Sequence, residues 1–453
     1  MILKTNLATQ SIMKKLGILL FFLFMGFQFN AQNKKWTLRE CLTHALANNI
    51  QVKQSALDVD LAEIEKSDAI GNFLPSINGS FSVSENTGLS FNPTTNQPET
   101  VTTLSATGGV SLGYTLFDGL RNFRQVQRAE ISKLASQYRL SKMQDDILLF
   151  VANGYLQVVL NKENLAEIQS QNAVTVEQID RTNNLVEAGV LPRGDLLEIN
   201  ATDALEKQRV AVAENAVKIS LISLAQLLLL QDYENFDIAI ADFSVMDTTI
   251  TSTPVADIIN VAKENRSEVK IAEQNVALAS KDLQLAKGLN YPSLTAFFGY
   301  DTRYTDINPL DFSDQLYQND GINYGLRLSV PILNGFSTRN NVRRNKVNLK
   351  NNEFQLEQAK LDLESNVYQA YVDAQGAGKA YEAALAAIES QELAYQYAKD
   401  RYDVGLTNAF DFSQSKLRYD NAKIGVNRSK YDYIFKMMVL ELYFGVKSSE
   451  LKF

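Results

Sequence analysis

The sequence predicts an exported α+β membrane protein built from two internal repeats, each a strand pair followed by a very long helical hairpin. Three observations point there: a secretory-type N-terminus, a chain that matches itself, and proline-free stretches too long for a small domain. At an offset of 217, residues 48–81 align with 265–298 without a gap, and 11 of 34 positions are identical. Asn48, Val52, Lys53, Gly71, Pro75 and Ser76 are among them; unrelated segments would share roughly two or three. At an offset of 216 the match resumes with Leu112/Leu328, Gly119/Gly335, Val126/Val342, Tyr155/Tyr371, Gly189/Gly405 and Asp195/Asp411. Glycines, prolines and strand residues recur in one order, which duplication explains and shared composition does not.

Lys14 and Lys15 precede an apolar run from Leu16 to Phe27, ended by Asn30-Ala31-Gln32. That is the pattern of a signal peptide cleaved near Ala31. Trp36 to Asn72 reads as helix and stops before Pro75. Ile77, Gly79, Phe81 and Val83 then alternate with polar residues, the period of a strand. A loop is expected over Glu85–Thr103, followed by a strand through Val110, Leu112, Tyr114 and Leu116. The second repeat reads alike: a helix over Ala256–Leu289, then Pro292, a strand Leu294–Tyr300, a loop Thr302–Asp320 and a strand Ile322–Val330. One face of these strands is apolar and aromatic; the other carries Ser, Gly, Thr, Asn or Arg327. Such strands suit a barrel wall with lipid outside and water inside. Past the signal, no run reaches ~18 consecutive apolar residues, so strands rather than helices are expected to enter the membrane. Four strands cannot close a barrel, for which about eight is the minimum. Several copies must therefore combine, and strand counting leaves two or three open.

Leu120 to Glu187 holds no proline and one glycine, Gly154; as a helix it would run roughly 100 Å. Phe336 to Val404 repeats the pattern, with Gly376 and Gly378 inside. Helices of that length must project from the membrane. The return helices, Asp195–Leu230 and Asp411–Phe444, are about half as long, so the 36–72 and 256–289 helices are expected to stack end-on and complete the wall. A crowd of alanines, Ala370, Ala374, Ala377 and Ala380 among them, suits close helix packing. No heptad of large apolar residues at both first and fourth positions is present, which favours a hollow wall over a solid coiled coil. Gly189 and Gly405 suit the left-handed turn at a helix end. Asp195 and Asp411 are then expected to cap the return helices, with Glu198 on the same helical face as Asp195.

Composition excludes several classes. Net charge is −8, and the signal carries three lysines and no acid, so the mature chain stands at −8 − 3 = −11. That argues against a nucleic-acid partner. Cys41 and His44 are the only cysteine and histidine, so neither an internal disulfide nor a Cys/His metal cluster can form, and no cofactor is expected. Cys41 also lies about ten residues past the cleavage site, so no lipid-anchored N-terminal cysteine is expected. With no nucleophile motif or phosphate loop, an enzyme is not expected.

The strand-to-helix junctions Leu116-Phe117-Asp118-Gly119 and Ile332-Leu333-Asn334-Gly335, and the turns Ala188-Gly189-Val190-Leu191 and Val404-Gly405-Leu406-Thr407, carry a resemblance. With the internal repeat they make residues 36–445 similar to the TolC family of outer-membrane factors, which serve tripartite efflux and type I secretion. The resemblance implies a homotrimer with a 12-stranded β-barrel, four strands per chain, continued by a long α-helical barrel. It places the barrel in outer-membrane lipid and the helices in the periplasm. It also implies docking of the tips, Gly189, Val190, Leu191, Gly405, Leu406 and Thr407, to a periplasmic adaptor and so to an inner-membrane RND or ABC-type transporter. By the same resemblance Asp195, Glu198, Asp411 and Gln414 ring the pore mouth, and Tyr402 latches it shut on Asp195. Gln414 stands where the family has an acid and Thr407 where it has an arginine, which implies a less charged ring and a weaker latch. Asp118, Gly119, Asn334, Gly335, Pro75 and Pro292 mark the strand–helix junctions. A trimeric outer-membrane stalk or adhesin without transport is the alternative, though two matched copies of strand pair plus hairpin do not fit a single projecting stalk.

The expected division is a signal peptide over 1–31 and membrane strand pairs over 76–118 and 293–334. Periplasmic helices fill 32–75 with 119–231 and 256–292 with 335–445, joined by an acidic, then Thr-rich connector over 232–255. A tail closes the chain over 446–453.

Overall fold

A computed structural model describes residues 35–92, 94–240 and 253–445. The expected signal peptide, much of the connector and the C-terminal tail lie outside the described residues.

Local capping sets where the first helices begin. Thr37 and Glu40 form a reciprocal capping box: the Thr37 amide donates to Glu40 Oε2 at 2.9 Å, and the Glu40 amide to Thr37 Oγ1 at 3.3 Å. Helix α1 (Leu38–Asn48) starts there, so Trp36 is not helical as expected. It lies instead in β1 (Lys35–Trp36), which pairs in parallel with β4 (Asp237–Ile238) inside the expected connector. A second correction follows at Asn49, whose side chain accepts from the amides of Gln51 and Val52 and starts a new helix, α2 (Ile50–Gly71). The second half breaks at the matching place: α5 (Val255–Asn265) and α6 (Ser267–Gly288) are separated by extended Arg266. The long helices are α3 (Arg121–Glu187) and α8 (Ser337–Asp403), each of 67 residues, or about 100 Å. Their returns, α4 (Arg193–Leu227) and α9 (Ala409–Tyr443), have 35 residues each.

The remaining strands form one antiparallel sheet in the order β2 (Ser76–Asn92), β3 (Gln97–Phe117), β5 (Ser293–Thr305), β6 (Gly321–Ser329). Pro75 and Pro292 stand immediately before the first strand of each pair, where a missing N–H costs no ladder bond. The expected loop Glu85–Thr103 is mostly strand, since pairing continues outward to Asn92↔Gln97. Polarity suggested a loop, but the Thr- and Val-rich run 100–103 has strand propensity. Cross-strand hydroxyl pairs support it, Thr87 with Thr102 at 2.9 Å and Ser82 with Thr107 at 2.6 Å. The other expected loop, Thr302–Asp320, holds the end of β5 and a short helix, α7 (Phe312–Gln318). Fully buried Gln315 organises it, accepting from the Thr305 amide and donating to the carbonyls of Thr305, Asn308 and Leu310.

The chain divides into two units. One comprises 35–44, 151–240 and 393–427 among the described residues. In it Tyr155 is fully buried and donates its hydroxyl to the carbonyl of Ala239 at 2.5 Å, tying α3 to the β1–β4 ribbon. Burial pushes the neighbouring Cys41 thiol up to about 12, and His44 packs edge-on against Trp36. The other unit comprises 45–150, 253–392 and 428–445, again among the described residues. Its core sets Ala370, Ala374 and Ala377 of α8 against Tyr433, Met437 and Leu440 of α9, with Ile258 and Ala262 of α5. Buried Arg266 anchors this unit through Asp145 at 3.1 Å and Glu268 at 2.9 Å, and its guanidinium lies over Tyr443.

Among the described residues α4 alone is long and apolar enough, by composition, to cross a membrane. Its apolarity is one-sided, however. Leu205, Val212 and Ile219 form an exposed stripe, while Asp203 and Glu206 are buried in its contacts with other helices.

Candidate functional site

The sheet presents two chemically opposed faces. Ile77, Leu112, Phe298 and Tyr324 are cross-strand partners in one row, and Gly79, Val110, Tyr300 and Ile322 in the next. Most of these side chains stand uncovered, Ile77 at 67% exposure and Tyr324 at 78%, while Leu112 is half-buried. The opposite face carries the rows Asn78–Ser111–Gly299–Asn323 and Ser80–Gly109–Asp301–Gly321. Phe297 breaks that polarity. It sits where a Cβ on Gly325 would meet its ring at 3.1 Å, and the Arg327 guanidinium covers it at 5.3 Å. A continuous apolar row with nothing over it is stable only against lipid or a partner.

The junctions are built by their sequence. Asp118 accepts from the amides of Arg121 (2.9 Å) and Asn122 (2.8 Å), capping α3. Gly119 and Leu120 are both left-handed, as are Gly335 and Phe336, so each strand turns into its helix through two such residues. Gly119 has a further reason to be glycine: a Cβ there would meet the Gly288 carbonyl oxygen at 2.5 Å. Asn334 donates to Thr338 Oγ1.

At the far ends of the long helices, Gly189 (φ +75°) and Gly405 (φ +76°) adopt the left-handed turns expected of them. The Val190 amide returns to the Leu185 carbonyl at 2.9 Å and the Leu406 amide to that of Arg401 at 2.8 Å, closing the helix ends. Val190 and Leu406 are exposed, whereas Leu191 is buried with Tyr402, Ile199, Ala409 and Phe412. Thr407 lies half-buried and reaches Asp411 at 3.5 Å.

Three details depart from expectation. First, Asp195 sits in the opening turn of α4 but makes no side-chain capping bond; the chain enters through Pro192, whose fixed φ already suits a helix start. Second, Asn408 rather than Asp411 caps α9, accepting from the Asp411 amide at 2.8 Å. Third, the Tyr402 hydroxyl bonds Thr182 of α3 at 2.9 Å and not Asp195. Tyr402 is 1% exposed and stacks on Phe412 at 4.9 Å, which fixes its ring and aims the hydroxyl at α3. Burial, with the nearby Asp195 and Asp403 carboxylates, pushes its phenol upward. Asp195 and Glu198 are half-buried, while Asp411 and Gln414 are exposed.

Sequence reading missed a polar seam. Gln171, Thr175, Gln178 and Thr182 are buried on α3 at the 4-3-4 spacing usually given to core leucines. Beside it, Asn172 donates to Asp203 and Glu206 of α4, and buried Lys416 of α9 pairs with Glu206 at 2.6 Å and Asp420 at 3.2 Å. Burial outweighs the lysine and pushes the Asp420 carboxyl up to about 6. Below it, Lys423 pairs with Glu167 at 2.9 Å. The 4-3-4 spacing was readable, but polar residues do not advertise burial. Toward the turns the helices are thus joined by hydrogen bonds and ion pairs as well as by the Leu191–Phe412 cluster, and the polar contacts can be exchanged for water.

Known proteins resemble this chain in sequence and in fold. The sequence model of the family described as "Outer membrane efflux protein" matches residues 41–228 and 258–441. The chain is similar to the outer membrane protein TolC of Vibrio cholerae, 23% identical over 422 residues that span 91% of each chain. Among solved structures, a membrane protein from Pseudomonas aeruginosa aligns with a TM-score of 0.78 at 17% identity, covering 92% of this chain and 91% of the other. The outer membrane protein VceC of Vibrio cholerae aligns with a TM-score of 0.76 at 14% identity, covering 90% of this chain and 96% of the other.

Proposed function

Because the chain belongs to the outer membrane efflux protein family, we propose that three copies form an outer-membrane export channel whose helices build a tunnel in the periplasm. The observation that carries the reading is the uncovered apolar row Ile77–Leu112–Phe298–Tyr324, backed by a polar face on the same four strands. Four strands per chain give a closed, lipid-facing wall only on assembly, and three copies supply twelve. The helices of equal length in the two halves support an internal duplication, with 76–118 and 293–334 as the membrane strand pairs. The division into periplasmic helices (32–75 with 119–231, 256–292 with 335–445), a 232–255 connector, a cleaved 1–31 and a 446–453 tail belongs to the same reading.

The mouth lies at the helix turns. Exposed Val190 and Leu406 offer apolar contacts to a periplasmic adaptor, which links the channel to an inner-membrane transporter. Asp195, Glu198 and Asp411, repeated around the ring with Gln414, supply acidic groups that favour cations. Tyr402 closes the mouth by holding α8 to α3 through Thr182, and the acidic residue Asp195 biases that contact rather than making it. An adaptor that exchanges the Tyr402–Thr182 bond for its own contacts would open the tunnel.

Conductance of the purified chain in a planar bilayer tests the reading. A channel gives discrete steps that grow when the Tyr402–Thr182 bond is removed; a stalk without transport gives none.

A further inference from the structure

The sheet leaves two edges unpaired, β2 and β6. Pairs Ser76↔Gly113, Phe117↔Leu294 and Ser293↔Ser329 place the start of β2 and the end of β6 at the same end of the sheet. Helix α2 therefore runs toward that end and α8 away from it, so the two edges carry antiparallel helices. Each helix shows an exposed apolar stripe at seven-residue spacing: Ile50, Leu57 and Ile64 on α2, and Val347, Phe354 and Leu361 on α8. Their charges are opposite. Residues 337–352 carry five cations and no acid, while residues 58–68 carry five acids and one lysine.

The chain already contains a seam of this kind. Between its halves, β3 pairs with β5 while α3 lies against α6. There Gly119 abuts Gly288, and Arg128 Nε pairs with Asp282 at 2.5 Å. The offsets that relate the halves carry these four residues to 119 + 216 = 335, 288 − 217 = 71, 128 + 216 = 344 and 282 − 217 = 65. The residues found there are Gly335, Gly71, Arg344 and Glu65, the same pair of glycines and the same pair of charges. Yet a Cβ on Gly71 or Gly335 would meet nothing within 4 Å. Arg344 and Glu65 are exposed, and neither makes an ion pair among the described residues. Counted antiparallel, the apolar stripes also coincide: 64 with 347, 57 with 354 and 50 with 361 each sum to 411, within two residues of 344 + 65 = 409.

We propose that, where ring closure brings β6 and α8 of one copy to β2 and α2 of the next, the internal seam is repeated residue for residue: Arg344 pairs with Glu65 of the next copy and Gly335 packs against its Gly71. The seam is head-to-tail, so it propagates around a ring until it closes. Opposite charge on the two faces sets direction and register, and rejects pairing of two α8 faces or two α2 faces. The proposal rests on the trimeric-channel reading and specifies which surfaces make it.

The test uses two full-length chains in one outer membrane, one carrying Glu65→Cys and the other Arg344→Cys. A short bismaleimide, which spans the reach of an arginine–glutamate pair, is expected to give a crosslinked dimer only when both are present, since native Cys41 is buried. A charge series complements it: Arg344→Glu lowers recovery of native trimer several-fold, and adding Glu65→Arg restores it. Trimers captured by an amine-reactive crosslinker without the 65–344 thiol crosslink would overturn the seam while leaving the channel reading in place. A chain that stays monomeric under both reagents would overturn the seam and the trimer together.

Discussion

Tyr402 shows how one side chain can be placed by packing rather than by its charged neighbour. Its ring is held by Phe412 and its hydroxyl by Thr182, so Tyr402→Phe and Thr182→Val should each raise conductance and cost about 1 kcal/mol of helix-end stability. Asp195→Ala should change conductance less than either, and an equal effect would return the hydroxyl's partner to Asp195. Asp420 makes a second residue-scale prediction. Its carboxyl is raised from 3.8 to about 6 by burial, so the folded state holds that proton more tightly than the unfolded one. The associated stability is fully present below pH 3.8 and is lost as pH rises through 6. Thermal unfolding of the chain between pH 5 and 7 (about the range where this group titrates) should show a decline that Asp420→Asn removes. Gln315→Ala removes one accepted hydrogen bond and the two amide N–H groups shared among three carbonyls, and should release 306–320 to proteases while the strands stay protected.

At the scale of elements, the helix turns can be tested without touching the mouth's chemistry. A Cβ at Gly189 or Gly405 has open space, so Gly→Ala there costs only the left-handed backbone, about 1 kcal/mol each, seen as a lowered melting temperature. Much at this scale was legible. Runs free of proline set α3 and α8 to within a residue of their observed bounds, and period-two alternation found the four strands of the larger sheet but not the β1–β4 ribbon. What escaped was decided locally or by partners. A single capping side chain at Asn49 divides a helix whose pattern runs on unbroken. In the outer part of the β2–β3 hairpin, Glu85, Thr87 and Thr102 stand on the apolar face, so alternation weakens there before Leu89 and Phe91 resume it. The buried Gln171–Thr182 seam reads as a surface because burial of polar residues depends on what α4, α8 and α9 bring opposite it.

For the whole molecule, the exposed stripes on α2 and α8 and the apolar face of the sheet are continuous apolar surfaces that an isolated chain would leave in water. Assembly and membrane insertion are therefore coupled in the proposed channel, and the chain carries both requirements in its two halves. Candidate site residues were the least legible here. A pore mouth is made by repetition of one residue around an axis, and no spacing within a single chain records that.

The matched lengths, 67 with 67 and 35 with 35, also restrict how such a chain can change. One residue inserted in a helix turns everything beyond it by about 100° and advances it about 1.5 Å. An insertion within α3 would swing Thr182 off Tyr402 and carry the Gly189 turn past its counterpart at Gly405. Tolerated changes in length should then arrive as concerted sets, the same number of residues in α3, α4, α8 and α9. Loops can drift singly, but the helices are bound to lengthen or shorten together.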